Sequence, residues 1–125
     1  MAAPRSIDGD QLRARCLDDP QFTRQMLGVF REFAPKTLDN LRKSVDAGAL
    51  TDARRHAHTL KGTAANLAAA DLQRRAADAE AAALAGDPPR LAEAVNATER
   101  AMRTCLDDAE VMMKELERET AKRKA

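Results

Sequence analysis

Only two side chains in this 125-residue sequence are imidazoles, and both fall in one stretch, RRHAHTLKGTAANL at 54–67, as His56 and His58. An imidazole is the side chain best suited to chemistry near neutral pH, because its unperturbed pKa is about 6.5. It can be a nucleophile, a proton carrier or a metal ligand. Metal chelation by this pair is ruled out by geometry. Two residues on a helix span about 200° of rotation, so the rings point to different sides. Two helical histidines that share one ion need a spacing near four. No Cys or carboxylate cluster in the sequence compensates, so no metal site is expected.

The surrounding pattern separates the two rings. Leu50, Ala53, Ala57, Leu60, Ala64 and Leu67 recur at steps of three and four, the helical period. Their stripe centres near Ala57 and Ala64. His58 then falls on the solvent side, with Arg54, Arg55, Lys61 and Gly62 as its neighbours one turn away. His56 falls on the opposite flank beside Thr59, Leu60 and Thr63, as a half-buried boundary residue. Three cations around His58 would favour the neutral, nucleophilic ring. They would also attract a phosphoryl group and screen its charge. Lys61 is the best placed to do so, as a mobile point charge on phosphate oxygens; Arg54 and Arg55 are supporting cations. Gly62 is the unusual choice, since glycine in mid-helix costs about 1 kcal/mol relative to alanine. It suits close approach of something large to His58, or else tight helix packing or a kink, although the same wheel turns Gly62 away from the core. On the residues alone, a phosphoryl-accepting histidine and a plain surface histidine both remain open.

The elements that must carry this site are helices. Asp19-Pro20 supplies a cap and a first-turn proline. An apolar stripe then runs through Leu27, Phe30, Ala34, Leu38, Leu41 and Val45 to a stop at Gly48. Pro35 lies inside that run, where a kink or a join of two helical pieces is expected. The 50–67 helix follows. A further helix carries Leu72, Ala76, Ala79 and Ala83 to Gly86, and Asp87-Pro88 starts the last. That last helix carries Leu91, Val95, Thr98, Met102, Cys105, Ala109, Met112 and Leu116. Its end, KELERETAKRKA at 114–125, is charged and is expected to fray. A short helix near Asp8–Asp18 would bring Leu12, Cys16 and Leu17 over one side as a lid. No stretch alternates with period two, so no strand is expected. The fold expected is all-α: an antiparallel up-down four-helix bundle with a short extra N-terminal helix. Phe22, Met26, Val29 and Phe33 form a second apolar flank on the first long helix. The short helix is expected to cover it; the competing reading leaves part of it exposed as a docking patch.

Composition narrows the function classes. With 21 basic and 20 acidic residues the formal charge is +1, without the excess of a nucleic-acid binder. Aromatic residues make up only 2%, which removes a base-stacking platform. Cys16 and Cys105 match no metal motif and read as free buried thiols. No apolar run suits a signal peptide or a membrane span, so a cytoplasmic protein without membrane insertion is expected. One domain over 1–125, with its core at about 20–113, suits the length. A bundle whose helices each keep a charged outer face is expected to be a monomer.

HTLKGTAANL at 58–67 resembles the signature of histidine-containing phosphotransfer (HPt) domains: His-x-x-Lys-Gly, then small residues. The resemblance extends over 20–113, through FREFAPKTLDNLRKSVDAGALTDARRHAH and ADLQRRAADAEAAALAGD. It implies a phosphocarrier of multistep phosphorelays. His58 would accept a phosphoryl group from a receiver-domain aspartyl phosphate, at Nε2, and pass it to an aspartate of another receiver. Lys61 would steady the phosphoryl oxygens, and Gly62 would leave room for the receiver. The partners implied are response-regulator receiver domains, a hybrid sensor histidine kinase, or both. No cofactor of its own is implied, since Mg²⁺ comes with the receiver. Autonomous kinase activity is not expected, because no glycine-rich phosphate loop or kinase signature is present. The alternative is a docking or adaptor module of the same fold that regulates a partner without phosphotransfer. One departure stands out: Ala68 occupies a position where the family often has glycine. Its turn is expected to rely on Asn66 or a short 3₁₀ stretch instead. Met1 and the basic tail lean toward a free-standing protein.

Overall fold

The computed structural model describes residues 5–124, so the single-domain reading over 1–125 extends past the described residues at both ends. Five helices follow in order: α1 Gly9–Arg15, α2 Pro20–Asp46, α3 Leu50–Asn66, α4 Ala70–Leu84 and α5 Pro88–Lys124. No strand occurs among the described residues. Helices α2 to α5 pack in a ring, each against the two beside it, which is the up-down four-helix bundle with α1 as the extra helix. The stripes from sequence form the core. Leu27, Phe30, Leu41, Ala57, Leu60, Leu72, Ala79, Leu91, Met102 and Leu116 are all buried.

Capping and turn chemistry set the helix ends. The Asp19 carboxylate accepts from the amides of Gln21 and Phe22, with Pro20 as the first helical residue. Asp87 does the same for Arg90 at the start of α5. Three helices finish in one reversal. Gly48, Ala68 and Gly86 have φ of 68°, 60° and 66°. In each case the next residue's amide reaches five positions back, as Ala69 does to the Ala64 carbonyl at 2.9 Å. Ala68 therefore takes the left-handed conformation itself. The expected substitution by Asn66 or a 3₁₀ stretch does not occur, because this hydrogen-bond pattern demands positive φ at that position whatever the side chain.

Three other expectations are corrected. Pro35 does not join two helical pieces, since α2 runs unbroken for 27 residues. The carbonyl that loses its amide partner belongs to the exposed Arg31, where water can replace it. The charged tail does not fray within the described residues, since α5 continues to Lys124. Leu116 is buried at the end of the stripe, and Arg5 and Arg13 pair with Glu115 and Glu119 at 2.6 and 2.9 Å. The charge run is the solvated face of a helix whose other face is held. Leu17 is not part of the lid. It is 82% exposed, because Leu17 and Asp18 both take positive φ to turn the chain from α1 into α2.

Helix lengths explain α1. At about 1.5 Å per residue, α2 and α5 are far longer than α3 and α4 and overhang them at one end. α1 covers part of that overhang with Ile7, Leu12 and Cys16 buried. The Asp8 amide is bonded to the Ala68 carbonyl at 2.9 Å, and Ser6 to Asp108. It does not cover the second flank of α2. Phe22, Val29 and Phe33 stay exposed, Phe33 at 53%. With Met26, Cys16 and Leu67 they line a groove of about 340 Å³ between α1, α2 and the end of α3. A seven-residue helix is too short to span a flank that extends three turns along α2.

Candidate functional site

Helix α3 presents the two histidines differently, as the wheel requires. His56 is half-buried, whereas the His58 side chain is 68% exposed. Gly62 lies one turn from His58 on the exposed surface, and a Cβ built on it meets nothing within 4 Å. Its missing side chain therefore serves neither helix packing nor a tight contact within the chain. Arg54 and Arg55 line a shallow groove with Thr51, His58 and Glu80. Arg55 is turned to Asp52, 3.0 Å away.

The charged group nearest His58 is a carboxylate rather than a cation. Glu80 on α4 reaches both polar residues of the α3 motif. Its Oε2 lies 2.5 Å from His58 Nδ1, and its Oε1 accepts from Lys61 Nζ at 2.6 Å. Sequence reasoning surrounded His58 with three cations; the structure keeps Arg54 and Arg55 in the groove beside it and adds a carboxylate shared between His58 and Lys61. Close packing makes the reach possible. Ala53, Ala57 and Ala64 of α3 and Ala76, Ala79 and Ala83 of α4 are all buried, and α3 packs against α4, where small side chains let helix axes approach. Glu80 is one step off that alanine stripe, at the boundary, and only 18% exposed.

An ionised carboxylate only accepts hydrogen bonds. The Lys61 ammonium, first among the causes, holds the Glu80 carboxyl below the usual carboxylate range; His58 adds to this and burial opposes it. Nδ1 must then be the protonated nitrogen of a neutral His58 ring. The lone pair is left on Nε2, the nitrogen away from Glu80. Sequence reasoning missed Glu80. The available signal was an acid beside the buried stripe of the next helix, but Asp71 and Asp78 offer similar signals, and the register of α4 against α3 decides among them.

The rest of the surface adds context. Among the described residues, no three His, Cys, Asp or Glu side chains group as a metal site would require, and no helix is long and apolar enough to cross a membrane. Cys16 and Cys105 are free and buried, and burial pushes the Cys105 thiol up. The apolar groove meets α3 at Thr63, Asn66 and Leu67, with Thr63 on the flank of His56, whereas His58 lines a separate groove with Glu80.

Comparison with known proteins gives concordant results. A model of the Hpt domain matches residues 25–119. Comparison with curated proteins gives no match. Among solved structures, the crystal structure of histidine-containing phosphotransfer protein B from Pseudomonas aeruginosa PAO1 superposes with a TM-score of 0.83. The two sequences are 21% identical, and the match covers 91% of this chain and 98% of that one. At that identity the likeness concerns the fold.

Proposed function

Because the chain belongs to the Hpt domain family, we propose that it is a phosphocarrier in which His58 receives a phosphoryl group from a receiver-domain aspartyl phosphate and delivers it to another receiver. The observation that carries this reading is the hydrogen bond between His58 Nδ1 and Glu80. It leaves Nε2 as the nucleophile on the open side of an exposed ring.

Each residue then has a task. The Nε2 lone pair attacks phosphorus, the bond from phosphorus to the aspartyl oxygen breaks, and the aspartate leaves as a carboxylate. Nδ1 keeps its proton, so the ring becomes cationic as the Nε2–P bond forms. Glu80 orients the ring and offsets that charge, as a carboxylate behind a catalytic imidazole does elsewhere. Delivery to the next receiver is the same step reversed. Lys61 supplies positive charge for the phosphoryl oxygens, with Arg54 and Arg55 at the rim. Phosphoryl transfer rests mostly on positioning and charge neutralisation, so a small site without nucleotide-binding elements is enough. The chain acts as a carrier without kinase activity of its own, and the divalent cation comes with the receiver.

Gly62 and the apolar groove between α1, α2 and the end of α3 are the receiver's landing surface in this reading. The transferring atoms must come within bonding distance, and a side chain at Gly62 would stand between two protein surfaces. Phe22, Val29 and Phe33 supply an exposed apolar patch on α2, of the kind that marks protein interfaces. A cytoplasmic site of action follows from partners of this class. The test is a transfer screen. Phosphorylated receivers are incubated with the chain, and the label is followed onto it and off again to a second receiver. Acid-labile, base-stable label that can be passed on supports the reading. Binding without any label would instead support the adaptor.

A further inference from the structure

Lys61 and His58 compete for one carboxylate. In the structure Lys61 Nζ is 2.6 Å from Glu80 Oε1, on the Nδ1 side of the histidine, while the phosphoryl group is taken at Nε2, on the other side. Lys61 at rest is therefore turned away from where its charge is used. We propose that Glu80 keeps Lys61 in reserve: phosphorylation of His58 draws Lys61 off Glu80 onto the phosphoryl oxygens and leaves Glu80 to His58 alone. This rests on the phosphocarrier reading of His58 and adds a regulated position for Lys61.

The charges favour the exchange. Before transfer, the triad holds one ammonium, one carboxylate and a neutral ring. After transfer, the ring is cationic and the attached group is a dianion. The cationic ring strengthens its own hydrogen bond to Glu80, so the carboxylate no longer needs the lysine. The dianion, meanwhile, has no counter-charge from the ring face that Glu80 occupies. Both changes push Lys61 the same way.

Mobility agrees with charge. Lys61 is 32% exposed on a flexible stem, whereas Glu80 is 18% exposed and sits beside the closely packed alanines of α4. The lysine is the member free to move. Gly62, next in the chain, leaves the surface open, with nothing within 4 Å of a Cβ placed there. A partly exposed ion pair is weak enough to be exchanged. The arrangement also has a function before transfer: with Lys61 neutralised by Glu80, the resting site holds less free positive charge to trap stray anions.

The test uses the full chain with ¹⁵N-labelled lysine, the Lys61 signal being identified by its loss in Lys61→Arg. His58 is phosphorylated with phosphoramidate, whose P–N bond breaks as the Nε2–P bond forms and ammonia leaves. A ³¹P spectrum reports the phosphohistidine independently. In the resting protein, Glu80→Gln is expected to shift the Lys61 ammonium signal. After phosphorylation the signal is expected to have moved in the unsubstituted chain and to have lost its sensitivity to Glu80→Gln. If His58 is phosphorylated and Lys61 responds to Glu80→Gln as before, the exchange is overturned while the carrier reading stands. If phosphorus attaches elsewhere and never to His58, the carrier reading fails and the exchange with it.

Discussion

Glu80 and His58 are 22 residues apart in sequence and meet at 2.5 Å across the seam between α4 and α3. The contact turns an exposed surface histidine into one with a fixed tautomer. Partners that orient a metal-bound imidazole through its second nitrogen are worth about 10–100-fold when removed, and an effect of the same order is expected of a partner that orients His58. Glu80→Ala should therefore slow phosphorylation of His58 by about that factor, with His58 still the labelled residue. Rates of label incorporation from a phosphorylated receiver measure it. An unchanged rate would remove Glu80 from the mechanism.

The same carboxylate makes stability depend on pH. Lys61 holds the Glu80 carboxyl below its ordinary range in the folded chain. A depressed folded pKa means the unfolded state binds the proton first as pH falls. The contribution is complete above the unfolded value of about 4.3 and is lost as pH falls through the lower folded value. Urea midpoints of the chain and of Glu80→Gln should differ at neutral pH and converge in acid below that range. A constant difference across the range would contradict the pairing.

Much of this architecture was legible because helices built on leucine and alanine advertise their period. The stripe through Leu91, Val95, Met102 and Leu116 reads directly from spacing. What was illegible depended on partners. Leu17 looks like core until the turn that throws it outward is seen. The 114–125 tail looks frayed until Arg5 and Arg13 are found holding Glu115 and Glu119. His58, Lys61 and Gly62 were visible because one helix carries them all. Glu80 was not, because its meeting with them depends on the register between two helices.

Gly62 should separate stability from function. A methyl group there meets nothing within 4 Å, so Gly62→Ala should stabilise the helix by about 1 kcal/mol, the usual mid-helix difference. Gly62→Leu should leave the fold intact yet slow transfer from a receiver, because the side chain stands in the path of approach. Denaturation curves and transfer rates on the same two variants check both halves. Transfer unaffected by leucine would refute the close-approach argument.

Ala68 marks a place where the fold tolerates strain. It holds φ 60°, a conformation costing a residue with a Cβ about 1–2 kcal/mol. Glycine removes that cost and adds about 0.4–1 kcal/mol of unfolded-state freedom in return. Ala68→Gly should therefore stabilise the chain by about 0.5–1 kcal/mol in urea denaturation. A loss of stability would show that the turn gains more from the methyl group than it loses to strain.

The most direct test of the account compares the two histidines. The chain, His58→Gln and His56→Gln are each incubated with the same phosphorylated receiver, and acid-labile, base-stable label is counted. The account predicts full labelling of the chain and of His56→Gln, and none of His58→Gln. Label that survives loss of His58, or disappears with His56, would contradict it.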